Sequence, residues 1–173
     1  MSKSHEQYMT ETEIAAELTR AELSIIRGIE AFSRWSATLH KTVANSHISY
    51  RDIAVLHSIR MCGNAQNLSE LLMFLNRNDV STLQYSLKKL EQEELVNRVT
   101  GNSKRETGYQ LSEKGVEVTD RYASLRDEIL IKILEDQKNF GEALESAANV
   151  FERLTGIYDQ ATQTVMNRKI LGK

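Results

Sequence analysis

From Ile14 to Leu39 the apolar residues recur in steps of four and three: Ile14, Leu18, Ala21, Ile25, Gly28, Phe32, Trp35 and Leu39. This heptad-like stripe marks one face of a single long helix over residues 10–44, and Ile26 and Ile29 widen it. The chain contains no proline, so nothing of the kind that breaks a helix interior stands in the way of long helices. A second stripe lies at the far end, where Leu144, Ala147, Val150, Phe151, Leu154, Ile157, Ala161 and Val165 stay in register over a helix at about 142–167. Two apolar stripes of this length are more than a small domain between them can cover. Uncovered faces of that extent mark interfaces, and two-fold dimers are the commonest solution. The expected homodimer interface contains Ile14, Leu18, Ile25 and the segment Leu154–Val165.

Between these ends the period changes repeatedly. Ser49 is placed to cap a second helix, with Asp52 at its third position, Ile53, Val55, Leu56 and Ile59 on its apolar face and Gly63 at its stop. A polar link, Asn64–Asn67, leads to a short helix from Ser69 to Leu75. The link Asn76-Arg77-Asn78-Asp79 precedes a fourth helix, in which Leu83, Leu87, Leu90 and Val80 form the inward stripe. Ser81 with Gln84 has capping-box spacing, and Asn78 and Asp79 are alternative caps. Leu95, Val96 and Val99 then suggest a strand, 101–105 a turn with two cations, and Tyr109 and Leu111 the returning strand of a hairpin with about five residues per arm. Ser112 opens a further helix running to about Asp136. The fold class is therefore mainly α with a small β-hairpin.

Charge and cysteine content narrow the function classes. The net charge is −2, so the molecule as a whole is no basic nucleic-acid binder. The one basic stretch is 76–105, where Arg77, Lys88, Lys89, Arg98, Lys104 and Arg105 face Asp79, Glu91, Glu93 and Glu94. Cys62 is the sole cysteine, so neither an internal disulfide nor a cysteine zinc site can form, and a cytoplasmic location is expected. His5, His40, His47 and His57 show no metal-ligand spacing. There is no signal-peptide core, no membrane-spanning run, no phosphate loop, no nucleophile elbow and no distinctive carboxylate pair. No catalytic residue, cofactor or metal is expected.

Two short helices joined by a tight link and followed by a hairpin make a winged helix-turn-helix. Its second helix fits the DNA major groove, and the hairpin tip reaches backbone or minor groove. Ser81, Thr82, Gln84 and Tyr85 are the candidate base readers. Lys88, Lys89, Lys104 and Arg105 are the candidate phosphate contacts.

The run from Asp79 to Val96, Asp-Val-Ser-Thr-Leu-Gln-Tyr-Ser-Leu-Lys-Lys-Leu-Glu-Gln-Glu-Glu-Leu-Val, resembles the recognition helix of the MarR family and its exit into the wing. Arg105 to Gly115 is similar to that family's wing and following helix start, with Ser112 in place of a Thr. The resemblance spans nearly the whole chain. It implies a homodimer with interleaved terminal helices, binding to pseudo-palindromic double-stranded DNA, and a transcription regulator rather than an enzyme. It divides the chain into an N-terminal dimerisation helix (1–45), a winged helix-turn-helix region (46–112) and C-terminal dimerisation helices (113–173). It also implies a cleft for a small aromatic effector near Phe32, Trp35 and His57. Two positions depart from the pattern: Ser103 stands where an acidic residue usually supports the wing arginine, and Glu94 where a glycine usually precedes the Leu-Val exit. A winged-helix module that binds protein instead of DNA is the alternative.

Overall fold

The structure, a computed structural model, describes residues 12–44, 46–99 and 107–170. They fall into two compact units, one ending at Arg126 and one beginning at Asp127.

The first unit opens with α1 (Glu13–Ala44), whose first turn carries Glu13 and whose last carries Lys41, each favoured by the helix dipole. Apart from Ala16, its buried residues lie in the last turns: Ser36, Leu39, His40 and Val43. The predicted helix is present, but its stripe is not a buried one. Ile14 is 78% exposed, and Leu18, Ile26, Ile29 and Phe32 are exposed as well.

Helix α2 (Tyr50–Cys62) is central to this unit. Its start is a complete capping box: the Ser49 side chain accepts from the Asp52 N–H, and the Asp52 carboxylate accepts from the Ser49 N–H at 2.8 Å. Its end is Gly63, in the left-handed region at φ 74°, where a side chain would cost conformational energy. Ile53, Val55, Leu56 and Ile59 are buried as the periodicity requires.

The link after Gly63 is more than a link. Gln66–Asn67 forms a strand, β1, that precedes α3 (Leu68–Phe74). Two residues are too few to show a period of two, which is why the sequence reads as polar loop there. Asn67 and Glu70 form a second capping box at the start of α3. Helix α4 (Val80–Gln92) is capped by Asp79, and Leu83, Leu87 and Leu90 are buried, whereas Val80 is exposed. Strands β2 (Val96–Val99) and β3 (Gly108–Leu111) pair antiparallel, with Val96 opposite Leu111 and Arg98 opposite Tyr109. β1 adds to the other edge of β3, giving the order β1-β3-β2.

Helix α4 ends in a Schellman motif. The Leu95 N–H donates to the Leu90 carbonyl at 2.9 Å, the Glu94 N–H donates to the Glu91 carbonyl at 3.0 Å, and Glu94 itself is left-handed at φ 59°. The glycine-type conformation is thus kept although the residue is glutamate. Helix α5 (Glu113–Arg126) docks on this exit. Ser112 Oγ donates to the Glu94 carbonyl at 2.6 Å and accepts from the Gly115 N–H at 2.9 Å. A Cβ at Gly115 would lie 2.0 Å from the Leu95 carbonyl oxygen, so only glycine allows the approach. The core joins the five helices of this unit through Leu39, Val55, Leu56, Leu71, Leu83, Leu87, Leu90, Leu95, Val118 and Tyr122, and Tyr109 and Leu111 of β3 pack against it.

The second unit corrects one expectation. The helix beginning after Ser112 does not run unbroken to Asp136: the π turn Asp127–Ile131 follows α5, and α6 (Lys132–Glu135) follows the turn. Periodicity hides this because Ile129 and Ile133 keep helical spacing across it. Helix α7 (Phe140–Ile170) comes last. Leu144, Val150, Phe151, Ile157 and Val165 are exposed along it.

Candidate nucleic-acid interface

Helices α3 and α4 are joined by a turn whose geometry is locally fixed. The Arg77 N–H donates to the Leu72 carbonyl at 2.8 Å, the Asn76 N–H donates to the Met73 carbonyl at 3.1 Å, and Asn76 is left-handed at φ 49°. This second Schellman motif uses asparagine, which tolerates that conformation better than most residues. The turn sets α4 against α2 and α3, with Leu83, Ser86, Leu87 and Leu90 facing inward. Ser81, Gln84, Tyr85 and Lys88 are left exposed. Their steps of three and four place them on one outward face, and Tyr85 is 68% exposed.

Thr82 and Lys89 lie on the flanks and are half-buried. Both have partners within the protein. Lys89 Nζ lies 3.3 Å from Asp52 Oδ2, bridging α4 to the cap of α2. Asp52 is buried, which alone would raise its pKa. Hydrogen bonds from Ser86, Ser49 and Lys89 outweigh that and hold the carboxyl below the ordinary carboxylate value. Of the two adjacent lysines, Lys88 therefore stands on the outward face and Lys89 is tied to the scaffold.

At the start of α4, Asp79 gathers three donors. Thr82 Oγ1 donates to Asp79 Oδ2, Ser81 Oγ donates to Oδ1 at 2.7 Å, and the Thr82 N–H donates to Oδ1 at 3.1 Å. The Thr82 hydroxyl, then the Ser81 hydroxyl and the Thr82 backbone, hold the Asp79 carboxyl at a pKa of about 2. Asp79 is thus the cap in place of Ser81, and the two hydroxyls expected to read bases are hydrogen-bonded to it.

The hairpin follows, with Arg98 exposed on β2 as a cation that the site reading left out. Lys104 and Arg105, expected at the wing tip, lie outside the described residues.

The three residues of the expected effector cleft are placed differently from one another. The Phe32 ring packs edge-on against Tyr50 at 5.6 Å, and Trp35 packs on the core. The His57 ring packs edge-on against Tyr122 at 4.4 Å, and the Tyr122 hydroxyl donates to Ser36 Oγ at 3.3 Å. His40 Nε2 lies 2.8 Å from Ser46 Oγ. Among the described residues neither His57 Nε2 nor His40 Nδ1 has a hydrogen-bond partner. Burial first, then the positive charges of His40 and Arg126, lower the His57 pKa to about 4. Among the described residues no group of three or more His, Cys, Asp or Glu is placed to hold a metal ion, and no helix is long and apolar enough to cross a membrane.

The family of winged helix DNA-binding domains matches residues 48–115. No curated protein sequence matches the chain. Among solved structures, the chain is similar to the transcriptional regulator BldR from Sulfolobus solfataricus, with a TM-score of 0.65 and 19% identity over 83% of this chain and 99% of that one. It is similar to a MarR/EmrR family transcriptional regulator from Acinetobacter sp. ADP1, with a TM-score of 0.65 and 16% identity over 82% and 96% of the two chains. It is also similar to the Mycobacterium tuberculosis transcriptional regulator MosR in complex with DNA, with a TM-score of 0.62 and 14% identity over 79% and 97%. At such identities the likeness shows the fold. That fold, a winged helix-turn-helix flanked by long terminal helices, is the one the MarR resemblance implies. Each of the three matched proteins is described as a transcriptional regulator.

Proposed function

We propose that this chain, which carries a winged helix DNA-binding domain over residues 48–115, is a sequence-specific double-stranded DNA-binding transcription regulator that acts as a homodimer. The carrying observation is the outward face of α4, where Ser81, Gln84, Tyr85 and Lys88 stand exposed while Leu83, Leu87 and Leu90 anchor the helix from behind. Exposed hydrogen-bonding groups over one helix face are what a major groove can be read with. Gln84 and Tyr85 read base edges, Ser81 and Thr82 the groove near the helix start, and Lys88, Lys104 and Arg105 neutralise phosphates. Lys89 holds α4 in place through Asp52. MosR, solved with DNA, has the same fold, which supports this reading.

The uncovered apolar residues of α1 and α7, among them Ile14, Leu18, Ile157 and Val165, support a division into dimerisation helices at 1–45 and 113–173 around a DNA-binding region at 46–112. A small aromatic effector acts in the region of Phe32, Trp35 and His57. The test is selection of bound fragments from genomic DNA by the purified protein, with its mass measured by light scattering at micromolar concentration. An enriched, pseudo-palindromic sequence and a dimeric mass are expected. A monomeric mass rules out the dimer. Failure to enrich any sequence favours the protein-interaction module.

A further inference from the structure

The cap of α4 fixes the hydrogen-bonding character of the residues beside it. An ionised carboxylate has acceptor oxygens and no proton to give. The hydroxyl contacts between Asp79 and both Ser81 and Thr82 therefore have one possible direction: each hydroxyl donates its only proton to Asp79. What remains on Ser81 Oγ and Thr82 Oγ1 is lone pairs. Asp79 and Ser81 are exposed and Thr82 half-buried, so these oxygens stand at the outward end of the helix.

On the DNA-binding reading proposed above, on which this inference rests, that end of α4 meets the major groove. There adenine presents the N6 amino group and cytosine the N4 amino group as donors, whereas guanine and thymine present only acceptors to such a contact. A free serine or threonine hydroxyl is indifferent, because it rotates to donate or accept. A hydroxyl whose proton is already committed is not. We propose that Asp79 is a specificity-determining residue of this protein: by taking the protons of Ser81 and Thr82 it turns two adaptable hydroxyls into obligate acceptors that select an amino base, A or C, over a keto base, G or T, on the contacted strand. Asp79 itself need not touch DNA.

The variant Asp79→Asn separates this role from helix capping. Asparagine caps as well as aspartate, so the fold is retained. Its amide NH2, however, replaces one acceptor oxygen with a donor. The Thr82 hydroxyl then accepts from the amide and regains a proton to give. Sequences bound by wild type, Asp79→Asn and Thr82→Val are selected from a random library, and the thermal midpoint of each protein is measured. The position whose preference changes in Thr82→Val is the one that Thr82 faces. At that position the wild type is expected to enrich A or C on one strand, with a penalty of roughly fivefold or more in affinity for G or T. Asp79→Asn, at an unchanged midpoint, is expected to lose that preference or move it to G or T. Enrichment of G or T by the wild type, or identical preferences in wild type and Asp79→Asn, overturns the inference and leaves the regulator reading standing. No enriched sequence with any of the three proteins overturns that reading and the inference with it.

Discussion

Lys89 Nζ and Asp52 Oδ2 lie 3.3 Å apart, across 37 residues of sequence, and join the helix that faces outward to the cap of the helix beneath it. The Asp52 side chain is 3% exposed and that of Lys89 28%. The same carboxylate closes the α2 capping box, so one side chain fixes both a helix start and the placement of α4.

Two consequences separate Lys89 from its neighbour. Asp52→Ala is expected to lower the unfolding free energy by about 2 kcal/mol, through the lost cap and a lysine left half-buried without its partner. Lys89→Gln, which replaces a charge-assisted hydrogen bond to Asp52 by a neutral one, is expected to cost about 1 kcal/mol and to leave the salt dependence of DNA binding unchanged. Lys88→Ala is expected to do the reverse. Urea titration of the three variants beside salt titration of binding checks this.

The half-buried His57 makes stability depend on pH in a definite direction. Its pKa in the folded protein is about 4, against an ordinary value of 6.5, so the unfolded chain takes up the proton first. The stabilising effect of a neutral His57 is complete above pH 6.5 and is lost as pH falls from there towards 4, a span worth about 3 kcal/mol. His57→Phe keeps a ring against Tyr122 and gives up no hydrogen bond made by Nε2. Urea midpoints between pH 7 and 4 are expected to fall steeply for the wild type and less steeply for His57→Phe, the remaining slope coming from His40, whose pKa burial also lowers.

The α4 exit predicts two opposite glycine effects. Gly115→Ala places a methyl group against the backbone of Leu95, and a backbone atom cannot swing aside. The expected cost is about 3 kcal/mol. Glu94→Gly relieves a left-handed residue at φ 59° and gives up only an exposed pair with Lys114, for an expected gain of about 1 kcal/mol. Thermal or denaturant unfolding of each variant decides both.

The residues that could be read from sequence are those whose signal is local. Leu83, Leu87 and Leu90 show α4 by period alone, Ser49 and Gly63 bracket α2 by cap chemistry, and Val96 to Leu111 shows the hairpin by a change of period. What the sequence hides is either too short or too distant. Strand β1 is two residues, and it exists because β3 offers an edge. The π turn at Asp127–Ile131 preserves the spacing of the apolar residues around it. The tie between Lys89 and Asp52 is tertiary, so the two lysines look equivalent in sequence. Ser81 and Thr82 are suitable base-reading residues by type, and only the position of Asp79 shows where their protons go. The stripe from Ile14 to Leu39 predicts a helix correctly, yet Leu39 is the one member of it that is buried. Periodicity reports an apolar face, not what covers it.

The central claim, that the outward face of α4 reads DNA, is tested most directly by the salt dependence of affinity for a selected sequence and for random DNA. Wild type, Lys88→Ala, Arg105→Ala and Gln84→Ala are compared. The wild type is expected to prefer the selected sequence. Lys88→Ala and Arg105→Ala are expected to weaken binding to both DNAs and to reduce the salt slope by about one unit per lost contact, hence about two in a dimer. Gln84→Ala is expected to cost about 1–3 kcal/mol per contact on the selected sequence alone and to leave the slope unchanged. Equal, weak binding of the wild type to both DNAs, with no change in any of the three variants, contradicts the account.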